Sequence, residues 1–133
     1  MQFHAWLAAV ATVVACGTFE SALAQAQRQF TGIAAFYSTD YSGRTANGGR
    51  YDPKKFTAAH RSLPFGTRLR VTDPKSQRSV VVVVNDRGPF TKGRVLDLSL
   101  AAAKALHMTG RGLLRVTAAV EAANGLTTAT TAP

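Results

Sequence analysis

Few side chains in this sequence are suited to acid–base, nucleophilic or metal chemistry. After residue 24 the chain has two histidines, His60 and His107, and six acidic residues, Asp40, Asp52, Asp73, Asp86, Asp97 and Glu121. Two histidines with no cysteine pair and no close cluster of acids do not make a zinc site. No glycine-rich phosphate loop precedes a helix, and no Gly-x-Ser-x-Gly nucleophile elbow occurs. The sequence therefore predicts no metal and no cofactor. The chemistry that remains possible is acid–base catalysis by a carboxylate.

Asp86 has the most unusual surroundings of the six acids. It closely follows five consecutive valines, residues 80–84, and opens the segment Asp-Arg-Gly-Pro at 86–89. A carboxylate at the mouth of an apolar barrel is partly desolvated, and desolvation favours the neutral acid that a proton donor needs. A turn-initiating Asp, or one paired with Arg87, fits the same pattern equally well.

The elements that must position Asp86 are mainly short strands. Apolar stretches bounded by Gly, Pro, Asn and Asp predict strands at 30–37, 56–60, 67–72, 79–84, 94–98 and 113–120. Ser99 is a suitable N-cap for a single helix over 100–108, ahead of Gly110. Residues 38–52, rich in Ser, Gly, Asn and Asp, predict a long loop. The pattern indicates a mainly β fold, a small closed barrel with one short helix.

The first 24 residues have the pattern of a signal peptide. An apolar stretch over residues 5–16 is too short to span a bilayer, and small residues, Ala22-Leu23-Ala24, follow it. We predict cleavage after them and export to the periplasm or cell envelope, with no transmembrane segment in the mature chain. Lipidation at Cys16 is the alternative. The folded domain is then expected over residues 28–122, and a disordered tail over 123–133.

The chain is strongly basic, with 16 Lys and Arg against 7 Asp and Glu, and a formal net charge of +9. A surface of this kind indicates an anionic partner. The cations are scattered singly, and export removes nucleic acid as a partner, so the sequence favours the anionic bacterial cell wall. A basic surface without a specific partner is the alternative. No feature of the sequence predicts an oligomeric state.

Four ordered motifs lie within a match that runs from about residue 32 to residue 120. They read Thr-Ala-Asn-Gly-Gly-Arg-Tyr-Asp at 45–52, Thr-Ala-Ala-His-Arg-Ser-Leu-Pro-Phe-Gly-Thr at 57–67, Val-Asn-Asp-Arg-Gly-Pro-Phe at 84–90 and Gly-Arg-Val-Leu-Asp-Leu-Ser at 93–99. Together they resemble the RlpA family of septal lytic transglycosylases. The resemblance implies a six-stranded double-psi β-barrel, a fold shared with expansins, whose groove binds polysaccharide. It also implies cleavage of the β-1,4 bond after N-acetylmuramic acid in the glycan strands of peptidoglycan, releasing 1,6-anhydromuramyl ends.

The resemblance also assigns the catalytic residues. The family's catalytic Asp falls on Asp86, and its supporting His falls on His60. Ordinary glycosidases commonly need two carboxylates. A lytic transglycosylase uses the C6 hydroxyl of the sugar as its nucleophile, so one carboxylate can donate a proton and then accept one. This scheme suits a chain with few acids, and we expect His60 to donate a hydrogen bond that positions Asp86 or the substrate.

A second group of residues is predicted to bind the glycan. Tyrosine rings can stack on sugars, and arginines can pair with lactyl carboxylates. Two asparagines of the motifs are also predicted to contact the glycan. The predicted contacts are Tyr37, Arg44, Asn47, Tyr51, Asn85 and Arg87. Ordinary packing of a tyrosine and a solvated basic rim fit the sequence as well.

Gly49 departs from the family pattern, in which Glu follows Ala-Asn-Gly or Ala-Ser-Gly. The third polar group of the site is therefore missing, and the spacing does not show whether Asp40 or Asp52 replaces it. The alternative function is a non-catalytic, expansin-like wall-binding module that uses the same groove. A cationic protein without a defined groove is a third interpretation, which predicts binding that falls steeply with salt and is insensitive to Asp86.

Overall fold

Residues 28–121 fold into a closed six-stranded β-barrel with one short helix, as the sequence predicts. The computed structural model describes residues 28–121. Its elements are β1 (Gln29–Phe36), β2 (Thr57–Ala59), β3 (Arg68–Thr72), β4 (Ser79–Asp86), β5 (Arg94–Leu98), α1 (Leu100–Ala105) and β6 (Leu114–Val120). The predicted signal peptide, with Cys16, and the predicted tail over 123–133 lie outside the described residues. Within residues 28–121, no helix has the length and apolar character needed to cross a membrane.

The order of the strands around the barrel brings distant parts of the chain together. The strands close in the order β1-β5-β2-β4-β3-β6, and β6 pairs with β1. The pairs β1–β5 and β2–β4 are parallel, and the other pairs are antiparallel. Parallel neighbours end at the same edge of a sheet. His60, which follows β2, therefore lies beside Asp86, the last residue of β4.

β4 is longer than the sequence predicts. We expected it to end at residue 84 and a tight loop to begin at Asn85, but its pairing with β2 continues to Asp86. Ala58 lies opposite Val84 and the next residue, Ala59, lies opposite Asp86, so Asn85 is an extra residue in β4. Irregularities of this kind redirect side chains and are frequent beside active sites.

The barrel interior is filled by aliphatic side chains from all six strands. Val82 and Val84 of β4 are fully buried, while Val81 and Val83 are half-buried. A continuous apolar run is typical of a strand that is covered on both sides, whereas the structure covers the outer side of this run only in part. The buried core consists of Ala34, Ala58, Leu69, Val71, Val82, Val84, Leu96, Leu98, Leu114, Val116 and Ala118, with Ala102, Ala103, Leu106 and Met108 of the helical segment.

The helix α1 begins where the sequence predicts and ends earlier. Ser99 caps its N-terminus. The helix ends at Ala105 instead of residue 108, because His107 takes a left-handed φ of 54°. The N–H groups of His107 and Met108 bond to carbonyls of the last turn at 3.0 and 3.1 Å, the pattern of a helix C-terminal cap. Gly is the usual residue at that position, and the nearest one, Gly110, comes later.

The long predicted loop after β1 folds back on itself. Arg44 and Arg50 form an isolated antiparallel bridge, and the N–H of Thr45 donates to the carbonyl of Gly49 at 3.0 Å. Gly48 has a φ of +92°, which supplies the left-handed residue of this turn. We call residues 44–50 the tip loop.

Gly32 in β1 is required by a close approach to β5. A Cβ atom at Gly32 would lie 2.5 and 2.8 Å from the two γ-carbons of Val95. Val95 is an extra residue in β5, because the pairing with β1 skips it. A glycine inside a strand often marks a bulge or a close approach of this kind.

Replacing Gly32 with Ala is expected to destabilise the fold by about 1–3 kcal/mol, because an overpacked core moves the backbone or a stiff β-branched side chain. The measurement is a urea denaturation curve, with a lower midpoint and an unchanged slope. Thr31→Ala, on the exposed face of the same strand, is the control and should change little. Equal midpoints for Gly32→Ala and the unaltered protein would contradict the close approach.

Candidate active site

One end of the barrel brings together residues that the sequence selects. Tyr37 follows β1, His60 follows β2 and Asp86 ends β4. The backbone N–H of His60 donates to the backbone carbonyl of Asp86 at 3.2 Å, and the Tyr37 hydroxyl reaches the Asp86 carboxylate. The tip loop, which is part of the long connection between β1 and β2, also lies at this end and contacts Asp86 through Ala46. The candidate site is therefore centred on Asp86.

The Asp86 carboxylate is held at both oxygens. Its Oδ1 accepts hydrogen bonds from the backbone N–H groups of Ala46 at 2.8 Å and Arg87 at 2.9 Å. Its Oδ2 accepts one from the Tyr37 hydroxyl at 2.5 Å. No ion pair joins Asp86 to the Arg87 guanidinium in the described part of the chain, where the pairs are Arg70–Glu121 and Arg94–Asp97. The half-buried carboxylate thus has one orientation, set from three directions.

Tyr37 is the side-chain donor to Asp86. Burial, together with the hydrogen bond to Asp86 and the negative charge of that carboxylate, raises the pKa of the Tyr37 hydroxyl far above its usual range. The phenol therefore keeps its proton at neutral pH and can donate it in a hydrogen bond. The sequence suggested a different contact for Tyr37, stacking on a sugar ring.

The three tyrosines of the site form one stack. The ring centroids of Tyr37 and Tyr51 are 4.5 Å apart, and Tyr41 lies 5.2 and 5.4 Å from them. Tyr51 is 5% exposed, and its hydroxyl accepts a hydrogen bond from the N–H of Leu100 at the start of α1. The Tyr41 hydroxyl donates to the Arg44 carbonyl. The stack therefore ties the tip loop to α1, and Tyr51 has almost no open ring surface.

The His60 imidazole is held by its own loop. Its Nδ1 accepts hydrogen bonds from the backbone N–H groups of Ser62 at 3.1 Å and Leu63 at 3.0 Å. A neutral ring with this acceptor carries its proton on Nε2. The ring packs against Phe30 with centroids 5.2 Å apart. Across residues 28–121 the imidazole has no hydrogen bond to Asp86, so Nε2–H is the donor that His60 can offer a substrate.

The charge state of His60 gives the fold a defined pH dependence. Burial, and then the charges of Arg87 and Arg61, lower the pKa of His60 from its usual 6.5. The unfolded chain therefore binds this proton more readily than the folded one. The stability that neutral His60 contributes is complete above pH 6.5 and is lost as the pH falls through the lowered folded value. We expect the free energy of unfolding, measured by urea denaturation, to fall over that interval.

Two variants separate this effect from the titration of carboxylates. His60→Gln should remove the component of the pH dependence that begins at pH 6.5. His107→Gln, at the exposed helix end, should keep it. Parallel profiles for His60→Gln and the unaltered protein would contradict the account of His60.

The tip loop is fastened to the end of β4. The backbone N–H of Asn47 donates to the Asn85 carbonyl at 3.2 Å. The Asn47 Oδ1 accepts hydrogen bonds from the Thr45 hydroxyl and the Gly49 N–H, so it is used within the loop. The Asn85 Oδ1 is buried and has no partner in the part of the chain described here. Both predicted asparagines therefore lie at the site, and neither presents an open amide oxygen.

The two predicted arginine contacts differ in position. Arg44 is exposed on the tip loop. Arg87 is half-buried, its guanidinium lies 3.9 Å from the centre of the Phe65 ring, and it donates to the carbonyls of His60 and Leu63 at 3.3 and 2.9 Å. Arg87 therefore fastens the segment over residues 60–65.

Within residues 28–121, Asp86 has no hydrogen bond to another carboxyl group. The Asp52 Oδ1 accepts a backbone N–H two residues later, and Asp40 lies in an exposed turn. Neither of these suggested replacements for the missing Glu contacts Asp86 through a hydrogen bond. The same residues contain no group of three or more His, Cys, Asp and Glu side chains that could hold a metal ion.

Arg61 supports the site in a way that the sequence does not indicate. Its Nε donates to the Pro89 carbonyl at 2.6 Å, and its Nη2 donates to the carbonyls of Thr91 and Arg94 at 3.1 and 3.3 Å. One guanidinium thus joins the segment after His60 to the segment after Asp86. Its partners lie 28 to 33 residues further along the chain, where no local pattern could reveal them.

Known proteins resemble this chain over the barrel. A family model described as lytic transglycolase matches residues 29–118. A Nostoc protein named probable endolytic peptidoglycan transglycosylase RlpA is 59% identical over 90 residues, which are 65% of this chain and 24% of that protein. A Synechocystis protein of the same name is 50% identical over 109 residues, which are 80% of this chain and 34% of that protein. The chain thus spans about a quarter to a third of the length of these relatives.

Solved structures also resemble the barrel. An expansin from Clavibacter michiganensis has a TM-score of 0.56 and 25% sequence identity, over 71% of this chain and 51% of the expansin. The similarity supports the double-psi barrel that the motifs imply.

Proposed function

The chain belongs to the lytic transglycolase family of double-psi β-barrels, and on that premise we propose that it is an endolytic peptidoglycan lytic transglycosylase. It cleaves the β-1,4 bond between N-acetylmuramic acid and N-acetylglucosamine, and leaves a 1,6-anhydromuramyl end. Asp86 is the catalytic residue. The proposal concerns the barrel, since the relatives are three to four times longer than the matched region.

One observation carries this proposal: a single carboxylate, Asp86, is held from three directions, with no second carboxyl group bonded to it among the described residues. Glycosidases that use water commonly need two carboxylates. A lytic transglycosylase needs one, because the C6 hydroxyl of the muramic acid takes the place of water. The arrangement around Asp86 suits the second chemistry.

Both proton transfers take place at Oδ2 of Asp86. Its Oδ1 already accepts two backbone N–H groups, so Oδ2 carries the exchangeable proton. Protonated Asp86 donates to the glycosidic oxygen as the bond to C1 breaks, and the N-acetylglucosamine leaves with a free 4-hydroxyl. Ionised Asp86 then accepts the proton of the C6 hydroxyl as that oxygen bonds to C1. No water is consumed, and Asp86 ends protonated as it began.

Tyr37 stabilises Asp86 between the two transfers. After the first transfer, negative charge lies on Oδ2, which is 2.5 Å from the Tyr37 hydroxyl. The raised pKa of Tyr37 keeps the phenol protonated, so it donates a hydrogen bond without giving up its proton. Tyr37 is thus a positioning residue. It supplies a polar partner to Asp86 in a chain that has Gly49 where the family has Glu.

The predicted glycan contacts divide into two groups. His60, through Nε2–H, and the exposed Arg44 can reach a substrate, and we expect Arg44 to meet a lactyl carboxylate. The other predicted contacts act through the segments that they hold, because their polar atoms or rings are engaged within the protein: Tyr51, Asn47, Asn85 and Arg87.

The test is to incubate the purified protein with intact and with peptide-stripped sacculi and to identify the soluble products by mass spectrometry. We expect anhydromuramyl fragments, released faster from the stripped glycan. Binding to both kinds of sacculi without soluble fragments would contradict the proposal.

A non-catalytic, expansin-like binding module is the second candidate, and Gly49 is the observation that favours it. The similarity of the barrel to an expansin fits this alternative. It predicts that the protein binds sacculi, releases no fragments and binds equally well after Asp86→Asn.

Replacing Gly49 with Glu distinguishes the two candidates. A Cβ atom at Gly49 would lie 3.3 Å from the Asn47 Oδ1 and 3.5 Å from the Thr45 Oγ1, so a side chain fits after a small adjustment. For a transglycosylase that lacks one polar group, we expect about tenfold faster release of anhydromuramyl fragments, or about 1.4 kcal/mol of transition-state stabilisation. The measurement is the initial rate on stripped sacculi. Gly49→Gln has the same size without the charge, and equal rates for the two variants would contradict a role for the carboxylate.

The protein acts in the cell envelope, where the glycan strands lie. The net charge of +9 suits an anionic wall. Export depends on the predicted signal peptide over residues 1–24, with cleavage after Ala24, or on lipidation at Cys16. The N-terminal mass of the protein recovered from envelopes distinguishes these two routes.

A further inference from the structure

Phe90 is the most exposed large apolar side chain among residues 28–121. It is 81% exposed, compared with 54% for Leu113 and 48% for Phe56. Single apolar residues are common on protein surfaces, so exposure by itself indicates no binding. The segment that carries Phe90 is unusual because it is firmly held.

Arg61 fixes the backbone on both sides of Phe90. Its guanidinium donates to the carbonyl of Pro89, just before Phe90, and to that of Thr91, just after it. Gly88 and Pro89 are buried, and a Cβ atom at Gly88 would lie 3.5 Å from the Phe90 ring. The ring is therefore presented to solvent on a backbone that is held in place, so little backbone entropy remains to be lost on binding.

The position of this ring relates it to the catalytic residues. Phe90 comes four residues after Asp86, which limits the distance between their Cα atoms to about 14 Å. Arg61 directly follows His60, so its guanidinium connects the backbone around Phe90 to the segment that carries His60. A polymer that is bound across Asp86 and follows the surface toward residue 90 comes within reach of the ring.

We infer that Phe90 is a platform on which a sugar ring of the glycan strand stacks, next to the ring that is cleaved at Asp86. The apolar C–H face of a pyranose fits the flat face of a phenyl group, and its hydroxyls remain in water. Lys92, exposed two residues later, can pair with a carboxylate of the same strand. The inference takes the identity of the ligand from the proposed function.

A glycan suits this surface better than a protein partner. Protein interfaces form around contiguous apolar patches. Along the chain, Phe90 is followed by exposed Thr91, Lys92 and Gly93, none of which has a large apolar side chain. A phenyl ring next to polar and small residues matches a ligand that is apolar on one face and hydroxylated at its edge.

The first test measures binding without cleavage. In an Asp86→Asn background, sedimentation with peptide-stripped sacculi gives a Kd for each variant. We expect Phe90→Ala to raise the Kd about tenfold, which corresponds to about 1.4 kcal/mol, and Phe90→Trp to bind at least as tightly as the parent. Leu113→Ala, which removes an exposed apolar side chain elsewhere, is the matched control and should leave the Kd unchanged. An unchanged Kd for Phe90→Ala, or an equal loss for Leu113→Ala, overturns the inference.

A double-mutant cycle tests whether Arg61 acts by holding the platform. Arg61→Ala should weaken binding in the Phe90 background and have little further effect when combined with Phe90→Ala. Additive losses would show that Arg61 does not act through Phe90. In the unaltered Asp86 background, Phe90→Ala should raise KM and leave kcat nearly unchanged, as loss of a remote binding contact does.

The inference and the proposed function fail in different ways. Weaker binding after Phe90→Ala, in a protein that releases no fragments, would overturn cleavage and retain the platform. Anhydromuramyl fragments released with an unchanged KM after Phe90→Ala would overturn the platform and retain cleavage.

Discussion

Asp86→Asn is expected to lower the release of anhydromuramyl fragments by at least about 10³-fold, because one side chain serves as acid in one step and as base in the next. The loss should be chemical and not structural. Asn is nearly the same size, and its Oδ1 still accepts the N–H groups of Ala46 and Arg87, so the tip loop stays on β4. The measurement is the initial rate on peptide-stripped sacculi, with products identified by mass spectrometry.

Two comparisons make this result specific. The urea midpoint of Asp86→Asn and its binding to sacculi should match those of the unaltered protein. Glu121→Gln removes a carboxylate that pairs with Arg70 and not with a residue of the Asp86 site, and it should retain the rate, since exposed ion pairs contribute little. Fragment release by Asp86→Asn at the rate of Glu121→Gln would contradict Asp86 as the acid and base.

Tyr37→Phe is expected to lower the rate by about 10–100-fold, since a hydrogen bond to a charged group contributes about 1.5–3 kcal/mol. The Tyr37 hydroxyl contacts the oxygen on which negative charge appears when the proton leaves Asp86. Removing it makes that charge less stable, so the step that leaves Asp86 ionised becomes slower. The initial rate on peptide-stripped sacculi measures this loss, and the urea midpoint of the variant shows whether the fold is retained.

Tyr41→Phe is the matched control for Tyr37→Phe. Both changes remove one hydroxyl from the same stack, but the Tyr41 hydroxyl donates to the Arg44 carbonyl and not to Asp86. The Tyr41 variant should lose much less activity. An equal loss of rate in Tyr37→Phe and Tyr41→Phe would mean that Tyr37 acts only as a packing residue.

The strands were predictable because burial of one face requires a local pattern of apolar residues in the sequence. The valine run over 80–84 and the alternation over 67–72 both show it. The end of the helix was not predictable, because His107 takes a left-handed φ that Gly usually supplies. The continuation of β4 to Asp86 depends on pairing with Ala59, and pairing with a distant strand has no local signature.

The motifs selected residues that lie together at one end of the barrel, but the contacts of each side chain depend on how the barrel closes. Tyr37 donates to a carboxylate 49 residues away instead of presenting a free ring. Arg87 fastens a neighbouring loop, and His60 accepts two backbone hydrogen bonds at Nδ1. Partners so distant in the chain, or so dependent on side-chain direction, require the folded structure.

The most direct test of the central claim is the origin of the oxygen at the new glycan end. Sacculi are digested by the unaltered protein in water enriched in heavy oxygen, and the masses of the products are measured by mass spectrometry. If the C6 hydroxyl is the nucleophile and Asp86 accepts its proton, the new ends are 1,6-anhydromuramyl and carry no heavy oxygen. New reducing ends that carry heavy oxygen would show that water attacks C1, which would contradict a lytic transglycosylase with a single carboxylate.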